Sequence, residues 1–210
     1  MRPAGRLSVA LIAVALAATA CSTDGFTYVE NKDEGLYFKV PDEWVVSESR
    51  GVIETPTADL NRTIDEINNP GVPSLPDPWR VSIGGAAATA AGPSILVEVV
   101  PITSDIRDDV SLRWMKSQAT QGIDPTSDEA VEQGFAVIYD QDLVQGDLSG
   151  NRLVVDWTSE AGTPLTIDQL IYVDPGMTRI YRMVVLCDES CYRDYFDDIE
   201  TVMESFTVEG

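Results

Sequence analysis

The sequence predicts an α+β domain in which an antiparallel β-sheet is covered by an amphipathic helix. The second half of the chain alternates apolar and polar residues in runs of strand length, and turn residues separate these runs. Such a pattern is typical of antiparallel strands with one buried face. Near the C-terminus the apolar residues recur at helical spacing instead, which predicts a helix that covers the sheet.

The chain begins with an export signal that ends at a cysteine. Two arginines precede an uncharged apolar run at 7–20, a secretory signal pattern that is too short for a comfortable membrane span. The small residues at 18–20 stand directly before Cys21 and resemble the lipobox of bacterial lipoprotein precursors. This resemblance implies cleavage after residue 20 and a diacylglycerol on Cys21, which would anchor the protein to the outer face of the cell membrane. Ordinary secretion is the alternative.

The cysteine count supports this interpretation. The sequence has three cysteines, an odd number that is unusual in an exported protein. With Cys21 assigned to the lipid, Cys187 and Cys191 remain, and an oxidising envelope would preserve a disulfide between them. Two free thiols are the alternative. Their C-x-x-x-C spacing differs from the C-x-x-C of thioredoxin-like redox sites.

The charge of the chain excludes some partners. The sequence has 14 basic and 35 acidic residues and a net charge of −21. This balance argues against nucleic acid, which rewards basic patches, and against a basic face lying on anionic lipid. Solubility is a sufficient reason for the acidity. Abundant Arg, Ala, Val and Asp are typical of a high-GC genome such as that of an actinobacterium.

The first elements follow a polar segment. Residues 21–34 are interpreted as the lipidated cysteine and a flexible tether, because the residues after the cysteine are mostly small and polar. A single domain is expected over 35–210. Alternation at 36–40 predicts its first strand, and a second strand starts at Trp44.

The next part of the chain has a weaker pattern. A short helix is expected at 59–67, and four prolines then interrupt regular structure. Residues 79–83 are predicted as a strand, whereas the Gly/Ala-rich residues 84–93 are predicted as a loop. We therefore expect a mobile insert at about 70–93. The Val- and Ile-rich residues 94–102 form a further predicted strand.

Helix, meander and helix complete the domain. Residues 105–122 predict a helix that ends at a glycine. A second helix is expected at 190–203, and a short strand at 205–208. Between the helices lies a predicted four-stranded meander with strands around 135–139, 153–157, 165–173 and 178–186.

The residue types do not favour catalysis. The chain has no histidine, which removes the Ser-His-Asp triad and the usual zinc sites. It has neither a phosphate-binding glycine loop nor an EF-hand calcium loop, and no metal site is predicted. Neighbouring carboxylates could serve a hydrolase, but solvated surface acids are the simpler interpretation. The candidate pairs are Asp108 with Asp109, Asp140 with Asp142, and Asp197 with Asp198.

Two tryptophans are candidates for binding. Aromatic side chains dominate interface energetics when they are exposed and belong to the core when they are buried. Trp79 follows the proline cluster and is the candidate partner contact. Trp114 lies on the predicted face of a helix, where burial is favoured.

Both ends of the domain resemble a known family. Phe38, Pro41 and Trp44 form an F-x-x-P-x-x-W pattern, and the ending at Ser205-Phe206 follows an amphipathic helix. These features resemble the PsbP/Mog1-like superfamily, which includes envelope lipoproteins of the LpqN and DcrB types. The resemblance implies an α-β-α sandwich around an antiparallel sheet, a core role for Trp44 and Phe206, and no catalytic residues.

The resemblance also implies a non-enzymatic role in binding or assembly. The leading hypothesis is an envelope lipoprotein that binds a protein partner through the 70–93 segment or the polar face of the meander. A carrier or sensor of a small apolar ligand, held between sheet and helix, is the second hypothesis. A hydrolase that uses carboxylates alone is the third.

Overall fold

The computed structural model describes residues 25–50, 79–84, 92–158, 162 and 164–209. The predicted lipobox, the predicted helix at 59–67 and most of the predicted 70–93 insert lie outside these residues. The strands are β1 (Phe26–Asn31), β2 (Leu36–Pro41), β3 (Val45–Arg50), β4 (Trp79–Gly84), β5 (Ser94–Pro101), β6 (Phe135–Gln145), β7 (Leu148–Thr158), β8 (Pro164–Val173), β9 (Arg179–Asp188) and β10 (Thr207–Val208). The helices are α1 (Leu112–Ser117), followed by a 3-10 turn at Gln118–Thr120, then α2 (Asp128–Glu132), α3 (Glu189–Asp194) and α4 (Phe196–Ser205).

The strands form two antiparallel sheets. The large sheet has the order β3-β4-β5-β9-β8-β7-β6, and the small sheet has the order β1-β2-β10. The predicted meander is confirmed, because each strand from β6 to β8 pairs with its successor along the chain. Pairing of β5 with β9 joins the meander to the earlier strands. The predicted α+β class with an antiparallel core is therefore confirmed.

The large sheet is buried on both faces over most of its width. Its inner face, which includes Val97, Leu170 and Met183, packs against the small sheet and α4 in one hydrophobic cluster. Its outer face packs against the short helices and the turns around them in two smaller clusters, which include Leu153 and Ile171. This three-layer arrangement places the long meander strands at the centre of the molecule.

The two motif residues to which the resemblance assigns a core role lie in the inner core. Trp44 and Phe206 are buried, which agrees with the expected packing role. The Phe206 ring lies 6.3 Å from the ring centroids of both Phe38 and Tyr172, so it links the small sheet to the large one. Burial of one such side chain stabilises a fold by about 1.5–3 kcal/mol.

The ordered domain starts earlier than predicted. Residues 26–31 were expected in the flexible tether, but they form β1 and pair with β2 along its full length, from Phe26 opposite Pro41 to Asn31 opposite Leu36. The prediction is wrong for these residues because β1 is an edge strand that buries little side-chain area, so its sequence shows no alternation.

The predicted helix at 105–122 is shorter in the structure. Hydrogen-bonded turns occupy the start of this segment, and α1 begins after Ser111, whose hydroxyl accepts a hydrogen bond from the Trp114 N–H at 3.2 Å. Serine favours a cap over a helix interior, so helix formation starts there. The C-terminal helix is likewise divided, because Tyr195 separates α3 from α4.

The two C-terminal cysteines meet at the start of α3. A disulfide joins Cys187 at the end of β9 to Cys191 in α3, and their Cα atoms are 5.6 Å apart. Asp188 caps the same helix, since its carboxylate accepts a hydrogen bond from the Cys191 N–H at 2.9 Å. The bond and the cap together fix the direction in which the chain leaves the sheet.

Candidate functional site

The edge strand β6 is the candidate site for a partner. Phe135 at its start is buried, but every residue from Ala136 to Asp142 is exposed. Several of these side chains are apolar: Ile138 is 60% exposed, and Val144 further along is 79% exposed. Val137 and Tyr139 are exposed as well. Three consecutive exposed apolar side chains on an ordered strand form a patch of the kind that marks interaction sites.

Local structure explains the exposure of β6. Among the described strands it pairs only with β7, so its second edge has no strand neighbour. The register shifts between Val137 and Tyr139, which leaves Ile138 without a partner residue in a β-bulge. At the other end a two-residue turn joins β6 to β7, with Gly146 at a φ of +59°. Glycine at this first turn position suits a type II′ hairpin.

A lysine holds the outer-face side of β6 to α1. Lys116 Nζ lies 2.9 Å from Asp140 and 3.0 Å from Asp142, and the Asn151 side-chain amide donates to both carboxylates. Partial burial acts to lower the pKa of Lys116, but the hydrogen bonds to Asp140 and Asp142 outweigh it, so the pKa is raised. Lys116 therefore stays charged and shares its charge between two carboxylates.

An arginine occupies the inner-face side. Arg152 donates to Asp168 from Nε at 3.0 Å and from Nη2 at 2.6 Å, and it donates to Glu200 of α4 through both Nη atoms. Tyr192 of α3 donates to the same Asp168 carboxylate at 2.8 Å. The guanidinium carbon lies 5.8 Å from the Tyr139 ring centroid, a cation–π arrangement. This network joins β6, β7 and β8 to both C-terminal helices.

The protonation states of Arg152 and Tyr192 are fixed at neutral pH. Burial opposes the charged form of Arg152, but the hydrogen bonds and charges of Asp168 and Glu200 outweigh it and raise the pKa of the guanidinium. Burial, reinforced by the Asp168 carboxylate, raises the pKa of Tyr192. Arg152 therefore remains a cation and Tyr192 remains a hydrogen-bond donor, so the network has a structural role.

A second buried charge cluster lies on the outer face near β5. Glu98 accepts from Arg80 at 2.7 Å and from Arg182 at 2.6 Å. Burial acts to raise the pKa of Glu98, but the two guanidinium groups outweigh it and lower the pKa. The three side chains come from adjacent strands at the same register, so this cluster fixes the pairing of β4, β5 and β9.

The structure corrects the predicted role of Trp79. Its side chain is only 8% exposed and lies in the inner hydrophobic cluster, because alternate residues of β4 point inward from this position. Trp79 is therefore a core residue rather than a surface contact. Trp114 is partly buried and packs against the cluster around α1. The strand predicted at 79–83 is present as β4, so this part of the expected 70–93 insert is regular sheet.

The other candidate ligand sites have structural contacts. Asp140 and Asp142 lie side by side, but both bind Lys116. In the space proposed for an apolar ligand, between sheet and helix, the side chains Ile199, Val202 and Met203 of α4 are buried in the core. Within the described ranges no group of three or more Asp, Glu, Cys or His residues is placed to hold a metal, and no helix is long and apolar enough to cross a membrane.

A second exposed aromatic surface lies on the C-terminal helices. Phe196 is about half exposed and packs edge-on against Tyr192, with ring centroids 6.0 Å apart. The two rings line an open depression of about 440 Å³ together with Arg193, Asp194 and Asp197. Acidic groups crowd this region, and Asp197 forms part of the first turn of α4. The surface offers an alternative contact to β6.

Sequence reasoning predicted β6 as a strand but missed its exposure. The signal was the run Ala136–Tyr139, which places apolar side chains on both faces of the strand. Two acids, Asp140 and Asp142, follow it on one face. The network around Arg152 and Asp168 was also missed. Its signal was Asp168, the single charge in β8, because a charge inside a largely apolar strand is rarely buried without a partner.

Comparison with solved structures identifies the fold. The solution structure of cyanobacterial PsbP (CyanoP) from Synechocystis sp. PCC 6803 matches with a TM-score of 0.52 at 13% identity, over 90% of this chain and 96% of that chain. The fold is PsbP-like. The resemblance read from the two terminal motifs is thus confirmed at the level of the fold.

Two further structures align over most of the chain. The crystal structure of LpqN, involved in cell envelope biogenesis of Mycobacterium tuberculosis, gives a TM-score of 0.49 at 17% identity, over 88% of this chain and 91% of that chain. The Ran-binding protein Mog1p of Saccharomyces cerevisiae gives 0.47 at 9% identity, over 87% and 95% of the respective chains. No protein-family model and no curated protein matches the sequence.

Proposed function

We propose that the protein is a lipid-anchored lipoprotein of the cell envelope that binds an envelope protein partner without catalysing a reaction. The exposed apolar edge of β6 is the observation that carries the binding role. Leaving Ile138 and Val144 in water costs free energy that a partner would recover, since burial of apolar area is worth about 25 cal/mol per Å². The PsbP-like fold supports a non-catalytic role. The ion pairs of the buried carboxylates Asp168 and Glu98 with arginines also support it.

The anchor is the second part of the proposal. The apolar run at 7–20 followed by Cys21 supports export and attachment of a diacylglycerol. Two acyl chains hold a protein on a membrane stably, whereas one chain gives marginal binding. The chain would then act at the extracytoplasmic face of the cell membrane. Labelling of cells with an alkyne fatty acid tests this: Cys21→Ser should lose the label, and Ser22→Ala should keep it.

Photocrosslinking tests the binding role in intact cells. A benzophenone amino acid is placed singly in the full-length chain at Ile138 or Val144 on β6, and at Tyr28 on β1 as a matched control. All three side chains are more than half exposed. Discrete adducts from both β6 positions, and none from Tyr28, are expected.

The same experiment can refute the proposal. Adducts at equal yield from Tyr28 and β6 would show that the contacts are not specific. Adducts only from a fourth position, Phe196, would move the interface to the depression on the C-terminal helices. If β6 gives no adduct in cells that contain the whole envelope, the proposed binding surface is wrong.

A further inference from the structure

We infer that the outer edge of β6 receives an extended, basic segment of the partner as an additional antiparallel strand. This inference rests on the proposed function and specifies the chemistry and geometry of binding at the same surface. It predicts main-chain hydrogen bonds between the two proteins, with side-chain charge selecting the segment. Strand addition to a sheet edge is one of the general modes of peptide recognition.

The hydrogen-bonding groups of the edge follow from the register. Gln145 pairs with Leu148 across the two-residue turn, and such a closing pair is hydrogen-bonded. Because hydrogen-bonded and non-hydrogen-bonded pairs alternate along an antiparallel ladder, Val144, Asp142 and Asp140 direct their backbone N–H and C=O groups away from β7. Within the described residues, no strand or loop is hydrogen-bonded to this edge.

As far as the described residues show, the edge lacks most of the features that prevent strand addition. Edge strands are normally short, covered, bulged, or protected by lysine or proline. The strand β6 has eleven residues and contains neither lysine nor proline. Its bulge lies at Ile138, so the regular part from Tyr139 to Gln145 remains straight enough to pair. This part is long enough for a strand of typical length, about five to six residues.

The charges around β6 select a basic segment. Lys116 is shared by Asp140 and Asp142, which leaves one excess negative charge on the outer-face side. Arg152 is shared by Asp168 and Glu200, which leaves one excess negative charge on the inner-face side. Opposite charges placed across an antiparallel pair stabilise it, and like charges destabilise it.

The same charges disfavour a second copy of this chain as the occupant. Two β6 edges paired antiparallel would bring the Asp140 and Asp142 carboxylates of both copies together, in a chain whose net charge is already −21. A partner segment avoids this repulsion when it places an apolar residue opposite Val144 and basic residues opposite Asp142 and Asp140. Its sequence therefore has an apolar residue followed by Lys or Arg two and four positions later.

A defined peptide tests the inference with the full-length lipoprotein in detergent micelles. The probe is a fluorescent nine-residue peptide with that spacing and β-branched residues elsewhere. One control peptide replaces the basic residues by glutamate, and another carries N-methyl groups on the backbone nitrogens that would face β6. The unmodified probe should bind, and hydrogen exchange should slow in β6. Both control peptides should bind at least about fivefold more weakly, the effect of losing about 1 kcal/mol.

Matched variants separate main-chain pairing from side-chain contact. Val144→Pro removes one outward N–H without touching the ladder to β7, whereas Val144→Thr keeps it, so only the proline variant should weaken binding, by about fivefold. Asp142→Asn should weaken binding about two- to fivefold. Asp147→Asn, in the turn, makes the same charge change away from the edge and should have no effect. Far-UV circular dichroism verifies that each variant is folded.

Several results would overturn the inference. Equal binding of the N-methylated and unmodified peptides would exclude strand addition, whatever the variants show. Dimers of the chain that Val144→Pro abolishes would identify a second copy as the occupant. Crosslinks from Ile138 that persist at full yield in a Val144→Pro background would refute strand addition alone. Absence of these crosslinks from the otherwise unchanged protein would refute β6 as the binding surface of the proposed function.

Discussion

Substitution Asp168→Asn should destabilise the fold far more than Glu200→Gln, although both carboxylates bind the same guanidinium. Asp168 is fully buried, whereas 28% of the Glu200 side chain is exposed. Asparagine keeps the shape at position 168 but removes the charge, so Arg152 loses its buried counterion. Tyr192 retains an oxygen to which it can donate.

The expected magnitudes follow from burial. Removal of one partner from a buried ion pair costs about 3–5 kcal/mol, because the other charge stays in a medium of low dielectric. The Asp168→Asn variant should lose about 3 kcal/mol of unfolding free energy, since Glu200 still compensates part of the Arg152 charge. A pair with a solvent-exposed partner is worth about 0–1 kcal/mol, which is the loss expected for Glu200→Gln.

Urea unfolding followed by far-UV circular dichroism measures both losses. If only native-state stability changes, the urea concentration at the unfolding midpoint should fall, and the dependence of the unfolding free energy on urea should stay constant. The double replacement Arg152→Leu with Asp168→Leu should recover most of the loss, because it leaves no fully buried unpaired charge behind. Glu200 loses its partner in this variant, but its side chain is 28% exposed and can be solvated. Equal losses for the two single variants, or less than about 1 kcal/mol for Asp168→Asn, would contradict the argument that burial sets the strength of this network.

Two further predictions concern backbone packing and pH. Gly150→Ala should destabilise the protein by about 1–3 kcal/mol, because a Cβ at Gly150 would overlap the Tyr172 ring and neighbouring backbone. Urea unfolding measures this loss, and Gly84→Ala is the control, since a Cβ there meets no atom within 4 Å. Similar unfolding midpoints for the two variants would refute the packing argument. Because the pKa of Glu98 is lowered in the folded state, its contribution to stability should be complete above the ordinary value of 4.5 and be lost as the pH falls through the lower folded value. Unfolding midpoints of the wild type and Glu98→Gln should therefore converge in acid, and a constant difference across the titration would contradict the assignment.

The sequence predicts most strands of the large sheet because their local patterns agree with their final environment. In β4, alternation from Trp79 to Ile83 matches alternation of buried and half-buried side chains. The strand β9 is an almost continuous apolar run because the sheet is covered on both faces. Turn residues such as Gly146 mark the positions at which the strands end in the structure.

Features that depend on distant partners were not predictable. The strand β1 contributes few buried residues, so only the β-propensity of Thr27, Tyr28 and Val29 hinted at it. The contact between Arg152 and Asp168 depends on the register of β7 against β8 and on the position of α4. Composition showed that the chain has no histidine, whereas only the sheet order showed that β6 lies at an edge of the described sheet.

With a lipid on Cys21, the early start of β1 would limit how far the domain can move from the membrane. Phe26 is five positions after Cys21, and a chain extends at most about 3.5 Å per residue, so a lipid on Cys21 would hold the first strand within about 17 Å of its attachment point. A partner in the same membrane would then meet this protein in a thin layer, where confinement raises the effective concentration. Under that geometry, even a weak contact would be occupied for much of the time.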